Sequence, residues 1–277
     1  MDKYLKYIIV AIIQGLTEIL PISSSAHIII IENFFNINTN DLSFSIFLHL
    51  ASSIAILIFY HKDIFKLFNE GTKYIFSRRK EYKSSFNYLM YLIIATIPAA
   101  IGGIFFQSYI ESYLITPFLI GMFLTSTGII LLLNKKLSNK CIRSLNYFSA
   151  LEIGLFQMIG IIPGISRSSI TLFGTTIFKI NKNESARFVF LLLLPISIGS
   201  SILEISKSLI SGTTNLTFIS PEYLISFVVC IVVTLFSLFT MFKIIKKEKT
   251  YLFSYYLIPL GILMMIKGLY INTFIIL

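Results

Sequence analysis

Two short stretches concentrate nearly all the chemistry that this sequence could perform. The first runs through Gln14, Glu18, Ser23, Ser24, Ser25 and His27, gathering a carboxylate, three hydroxyls and an imidazole within ten residues of otherwise apolar chain. Gln14 and Glu18 are four apart and share a helix face; Ser24 and His27 are three apart and are neighbours if the arm after Ser23 is helical. That set could supply a nucleophile, a base and a group that orients it. The second stretch reads Ile162-Pro163-Gly164-Ile165-Ser166-Arg167-Ser168-Ser169-Ile170-Thr171. Pro163-Gly164 makes a tight turn and Ser166 is placed to cap the helix that follows. The free amides of that first turn, with the positive end of the helix dipole behind them, form an anion site. Arg167 adds a planar fork suited to phosphate oxygens, and Ser168, Ser169 and Thr171 add hydroxyls. A plainer reading also stands for each. The serines could cap helix ends, Glu18 could cap backbone amides, His27 could lie at the aqueous interface, and Arg167 could snorkel or pair with a Glu.

Other polar residues in apolar surroundings are weaker candidates. His49 reads as a hydrogen-bonded helix contact and Arg187 as a snorkelling residue at the start of a span. Glu152, Glu204 and Lys267 fall near the ends of apolar runs and read as interfacial. Cys141 and Cys230 stand in no motif, and no Cys/His metal spacing, Walker loop or dinucleotide fingerprint occurs.

The surroundings of both stretches define the elements that hold them. Of the 277 residues, 56% are hydrophobic and only 13% charged, about half the charge of a soluble domain. This excludes disorder and a disulfide-stapled secreted scaffold, and implies an all-α polytopic membrane protein. The formal charge of +10 does not indicate nucleic acid. Most Lys and Arg fall in residues 61–85, 134–147 and 243–250, short basic stretches between apolar runs, the pattern of cytoplasmic loops. Lys3 and Lys6 precede an apolar run, but Gln14 and Glu18 interrupt it and no small-residue cleavage site follows, so no cleavable signal peptide is expected.

Six runs are long enough to cross a bilayer: Phe44–Tyr60, Phe86–Phe106, Leu114–Leu133, Phe188–Ile205, Tyr223–Phe242 and Tyr251–Tyr270. Pro98, Pro195 and Pro259 lie inside them, which bundled membrane helices tolerate. The two broken stretches, residues 4–35 and 148–180, have arms too short for a full crossing. With the basic loops inside, parity starts and ends 148–180 on one side and puts residues 36–43 and 206–222 outside. The stretch 148–180 is then either two thin crossings or a re-entrant hairpin; arm length and the polar break favour re-entry, and the first stretch reads alike. Gly15-Leu16-Thr17-Glu18 resembles Gly154-Leu155-Phe156-Gln157, Ser23 falls opposite Ser166, and Phe47-Leu48-His49-Leu50 opposite Phe190-Leu191-Leu192-Leu193. Each hairpin precedes three spans. The expectation is a single membrane domain over 1–277 made of an inverted repeat, repeat one 1–133 and repeat two 148–277, with a site near the midplane where the broken helices meet.

These residues carry a resemblance. Gln14-Gly15-Leu16-Thr17-Glu18, then Leu20-Pro21-Ile22-Ser23-Ser24 with His27 three further on, resembles the first motif of the bacterial undecaprenyl-pyrophosphate phosphatase (bacitracin-resistance) family. Pro163-Gly164-Ile165-Ser166-Arg167-Ser168 resembles its second. Phe47-Leu48-His49-Leu50-Ala51 and Arg187-Phe188-Val189-Phe190-Leu191-Leu192 are similar to further family segments. Ala26 and Ser169 stand where family members usually have Gly. The resemblance implies a cell-membrane hydrolase that removes the terminal phosphate of a polyprenyl pyrophosphate lipid, with its site towards the outer face. It implies dependence on a divalent cation, Mg or Ca, for which Glu18 is the candidate ligand. The spacing of the residues themselves suits Ser24 attacking, with His27 as base, Glu18 as orienter or metal ligand and Arg167 neutralising charge; the competing scheme has water attack directly, activated by Glu18 or His27, with Ser24 only binding phosphate. Gln14, Ser23, Ser166, Ser168 and Thr171 bind substrate. A homodimer is compatible with it. A transporter or flippase of an anionic polyprenyl lipid is the rival reading.

Overall fold

The computed structural model of the chain describes residues 3–35, 42–138, 142–211 and 220–275. Eleven α-helices are described: α1 (Lys3–Thr17), α2 (Ser24–Phe35), α3 (Leu42–Phe59), α4 (His61–Ser77), α5 (Lys83–Tyr113), α6 (Pro117–Leu137), α7 (Tyr147–Ile159), α8 (Arg167–Ile177), α9 (Lys182–Ser211), α10 (Pro221–Lys246) and α11 (Ser254–Ile275). No strand occurs among the described residues; a lone backbone bridge joins Arg143 to Ile180. Residues 36–41 and 212–219 of the expected outer loops, together with Lys140 and Cys141, lie outside the described residues, while residues 206–211 of the second loop instead extend α9 and residues 221–222 begin α10.

The six apolar runs are helical over most of their length, with residues 114–116 forming the bend between α5 and α6. Helices α5, α6, α9 and α10, and α11 with the turn that precedes it, each carry a stretch long and apolar enough to cross a membrane; α3 with the helix after it gives a sixth. The protein is thus a polytopic helical membrane protein. Helices α1, α2, α7 and α8 have 15, 12, 13 and 11 residues. At 1.5 Å per residue even α1 extends only about 22 Å, short of a hydrocarbon core of about 30 Å. They form two broken pairs, α1–α2 and α7–α8.

Small residues let the helices approach closely, as packing in lipid requires. A Cβ on Gly121 of α6 would stand 2.4 Å from the Gly261 carbonyl of α11. On Gly15 of α1 it would stand 2.9 Å from the Cys230 carbonyl of α10, and on Gly154 of α7, 2.5 Å from that of Ala95 on α5. In the centre α9 is apolar all round: Phe188, Val189, Phe190, Leu191, Leu192, Leu193 and Leu194 are all buried. Helix α9 packs on α3, α5, α8 and α10, so both broken pairs are mounted around one pillar.

One element departs from expectation. Residues 61–77 fall in an expected basic loop but form helix α4, bent 77° from α3. The reason is an apolar stripe spaced for a helix but interleaved with lysines, which a search for long apolar runs passes over. Leu67 and Gly71 are buried; a Cβ on Gly71 would meet Leu89 of α5. Glu70 accepts a hydrogen bond from Ser85 at 2.5 Å. Arg187 does not snorkel freely: it pairs with Asp63 of α4 at 2.7 Å and lies over the Tyr88 ring.

Candidate functional site

The site grows out of two chain breaks. Helix α1 ends because Pro21 cannot continue the backbone ladder; the Glu18 amide still donates to the Gln14 carbonyl at 2.9 Å and the Leu20 amide makes the last such bond, to Leu16, at 3.2 Å. Ser23 then takes φ +72°, a left-handed conformation costly for a residue with a Cβ. This turn starts α2 at Ser24. In the second break Gly164 has φ +100°, and a Cβ there would stand 2.9 Å from the Ile120 carbonyl. Ser166 caps α8 as expected, its hydroxyl accepting from the Ser169 amide at 3.3 Å.

The breaks interlock. The Gly164 amide donates to Ser23 Oγ at 3.1 Å, Ser169 Oγ donates to the Pro21 carbonyl at 2.8 Å, and Ser168 Oγ to that of Leu20 at 3.4 Å. Thr127 of α6 fastens the second break from outside. Its hydroxyl donates to the Gly164 carbonyl at 2.9 Å and accepts from the Ser166 amide at 3.1 Å. Four residues expected on the substrate therefore have hydroxyls engaged within the protein. Ser23 and Ser168 join the breaks, Ser166 caps α8 and meets Ser168 at 3.2 Å, and Thr171 donates to the Arg167 carbonyl at 2.7 Å. Ser169, where a Gly was expected, adds one of the ties.

Glu18 is the hub of the polar cluster. It accepts from Ser24 Oγ at 2.7 Å and from Gln14 Nε2 at 3.1 Å. Gln14 Nε2 also lies 3.2 Å from His49 Nδ1, which stands 3.8 Å from the other Glu18 oxygen. The imidazole beside Glu18 is that of His49, not His27. His27 is engaged elsewhere: Nδ1 lies 2.7 Å from the Ser23 carbonyl and Nε2 2.9 Å from the Tyr256 hydroxyl. The expected order of Ser24, His27 and Glu18 is thereby replaced by a direct Ser24–Glu18 bond. Spacing placed Ser24 and His27 on one turn, but a carbonyl and a tyrosine from α11 hold both nitrogens of the ring.

Arg167, half-buried at the start of α8, is within electrostatic reach of Glu18. Its Nε and Nη1 are buried with no hydrogen-bond partner among the described residues. Gln14 Oε1 is in the same condition, as are both amide atoms of the fully buried Gln157. Gln157 adjoins the same corner. A Cβ on Gly160 would stand 2.8 Å from Arg167 Cα and 3.1 Å from the Gln157 carbonyl. Unpaired polar atoms are costly in a dry interior, and those of Arg167 fit a place that an anionic, hydrogen-bonding ligand fills. No group of three or more His, Cys, Asp or Glu side chains suited to a metal occurs among the described residues. The oxygens with capacity for a hard cation here are Glu18 Oε1 and Gln14 Oε1.

Sequence reasoning undervalued His49 and did not reach Thr127, Tyr256 or Gln157. His49 had the signal of an ionisable residue in an apolar run, and Gln157 that of standing opposite Glu18 in the internal likeness. Thr127 and Tyr256 had none.

Comparison with known proteins decides the family. The family described as bacitracin resistance protein BacA matches residues 7–263, which contain both breaks. The chain belongs to this family. It is 39% identical over 251 residues to an undecaprenyl-diphosphatase of Methanococcus maripaludis (strain C7), covering 90% of this chain and 94% of that protein. It is 35% identical over 264 residues to undecaprenyl-diphosphatase 1 of Bacillus cereus, covering 95% and 97%. The BacA match also takes in α3 with His49 and α11 with Tyr256, the helices that contribute to the site from outside the two breaks.

Proposed function

We propose that this membrane protein hydrolyses undecaprenyl pyrophosphate to undecaprenyl phosphate and inorganic phosphate, returning a lipid carrier to cell-wall synthesis and conferring resistance to bacitracin. The observation that carries the reading is the 2.7 Å Ser24–Glu18 hydrogen bond beside the unpaired donors of Arg167, in a chain whose relatives carry that activity in their names.

The site does this chemistry with its own residues. Arg167 holds the terminal phosphate bidentately, aided by the amides of Arg167 and Ser168, which a helix start leaves without intrahelical partners. Glu18 takes the proton from Ser24 Oγ as that oxygen attacks the terminal phosphorus. The bond from phosphorus to the bridging oxygen breaks, and its electron pair leaves on undecaprenyl phosphate, a weak base that needs little acid assistance. Glu18 passes its proton to solvent. It then deprotonates the water that cleaves the phosphate from Ser24. His27 acts as a positioning residue, holding the Ser23 turn to α11 through Tyr256. A divalent cation, Mg or Ca, fits Glu18 Oε1 and Gln14 Oε1 and would neutralise phosphate charge. The working place is the cell membrane, with the basic segments cytoplasmic and the two breaks, related as an inverted repeat, opening towards the outer face.

The test is phosphate release from undecaprenyl pyrophosphate by the purified protein in detergent, with divalent cation added and removed. Release that depends on Glu18 is expected. Its absence, with the lipid still bound, would favour a carrier of the anionic lipid, since transport has no meaning in a micelle.

A further inference from the structure

Helix α4 lies outside the site and has no part in its chemistry. It leaves α3 at 77° and is clamped across the ends of two spanning helices, to α5 through Glu70–Ser85 and to α9 through Asp63–Arg187. That bend and those clamps suit a helix lying along the membrane surface, with α3 alone as the crossing arm. Its buried side uses Leu67 and Gly71. At helical periodicity a second apolar strip remains uncovered: Phe65 is 71% exposed, Phe68 60%, Ile75 51% and Phe76 88%. Lys62, Lys66 and Lys73 occupy the adjoining strip, all exposed. An apolar strip beside a basic strip is the form of a helix lying in a lipid headgroup layer.

The C-terminal end of α4 is more specific than a charged face. The chain reverses at Arg78, φ +55°, and the turn at residues 80–82 folds back beside the helix. This leaves an open recess of about 320 Å³ lined by Thr72, Lys73, Phe76, Ser77, Arg79 and Tyr82. Lys73 Nζ stands 5.8 Å from the Tyr82 ring. Arg79 is exposed and reaches Glu81 only at 3.7 Å. The hydroxyls of Thr72 and Ser77 donate to their own helix at 2.8 and 2.7 Å, so the recess offers two cations as its ligand groups. Phe76 stands at its mouth.

We propose that this recess binds the headgroup of an anionic phospholipid, with the phosphate between Lys73 and Arg79 and an acyl chain along Phe76 and Phe68. The occupant follows from complementarity. The cations match a phosphate, and the exposed phenylalanines beside them match an acyl chain. A soluble anion would leave them exposed. Each cation near an anionic lipid surface contributes about a fivefold preference, so two give roughly twenty-five-fold.

The experiment is lipid retention by the purified protein in neutral detergent, read by native mass spectrometry with phosphatidylglycerol or phosphatidylcholine added. Phosphatidylglycerol should be retained preferentially, and Lys73→Gln with Arg79→Gln should lower its retention at least about tenfold. Lys247→Gln, an exposed cation outside the recess, should leave it unchanged. Equal retention of both lipids, an unaffected double variant, an equal loss in Lys247→Gln, or full displacement by inorganic phosphate would each overturn the proposal. A second measurement does not rely on the charge variants. A spin label at Phe76→Cys, in liposomes containing phosphatidylglycerol and in a background without Cys141 and Cys230, should be more accessible to oxygen than to a water-soluble nickel complex. The reverse order would place Phe76 in water and refute the site.

Discussion

Arg167 offers the sharpest test, because its geometry separates a catalytic role from a structural one. Its Nε and Nη1 are buried and unpartnered among the described residues. Their desolvation is therefore not compensated by hydrogen bonds in the ligand-free protein. A hydrogen bond to a charged group contributes about 1.5–3 kcal/mol, so two made to a phosphate supply about 3–6 kcal/mol. If they reach full strength only on the transition state, Arg167→Ala should lower kcat/KM roughly 10²- to 10⁴-fold. Arg167→Lys keeps the charge but not the fork and should recover only part of that loss. Stability should not fall with it. Removing a half-buried guanidinium whose Nε and Nη1 make no hydrogen bond relieves their desolvation and should leave the apparent Tm within a few degrees of wild type. The assay is phosphate release over a range of lipid concentrations, alongside thermal unfolding in the same detergent. An Arg167→Ala protein within about tenfold of wild type would refute the anion role. So would a variant whose activity and Tm fall together and recover together in Arg167→Lys, since Arg167 would then be a structural residue.

Other expectations follow from single contacts. Ser24→Ala should lose more than about a hundredfold in kcat, roughly 2.7 kcal/mol; near-normal turnover would show that water attacks directly. Glu18→Gln should lose at least as much and should cause no accumulation of phosphorylated Ser24, which acid-quench labelling would detect. Thr127→Val strips a partner from the Gly164 carbonyl and the Ser166 amide, so it should destabilise the protein by about 2–6 kcal/mol and raise KM, read by thermal unfolding and kinetics. In a background without Cys141 and Cys230, Tyr113→Cys should react with an impermeant thiol reagent on intact cells and Ser77→Cys only after permeabilisation; the opposite result would invert the orientation.

What the sequence disclosed depended on how local each cause was. The two breaks were legible because Pro21, Pro163 and Gly164 act on their own backbone, and Ser166 caps the helix that it begins. The spans were legible because lipid demands long apolar runs. Helix α4 was hidden because its apolar positions alternate with Lys62, Lys66 and Lys73, and its burial depends on Leu89 in another helix. The partner of Ser24 was hidden for a related reason. Spacing put His27 one turn away, but the direction of its ring is set by Tyr256, 229 positions distant, and by the left-handed backbone at Ser23. Thr127 looked like any threonine in a membrane helix. Only the folded chain brings it to two backbone groups of another segment.

The ties between the breaks also constrain how the protein is made. Ser169 and Ser168 lie 148 residues after the carbonyls they satisfy, and Gly164 lies 141 after Ser23. At about 5–20 residues per second, a ribosome needs roughly 7–30 s to deliver the second set of groups after the first. During that interval the Leu20 carbonyl keeps its local bond from the Ile22 amide at 2.8 Å, but the Pro21 carbonyl must be served by something else, such as water drawn into the bilayer or a factor at the site of insertion. The first half of the molecule is then an assembly intermediate with a defined waiting time. Slowing translation anywhere between residues 28 and 160 should lengthen its exposure to proteolysis without altering a residue of the finished protein.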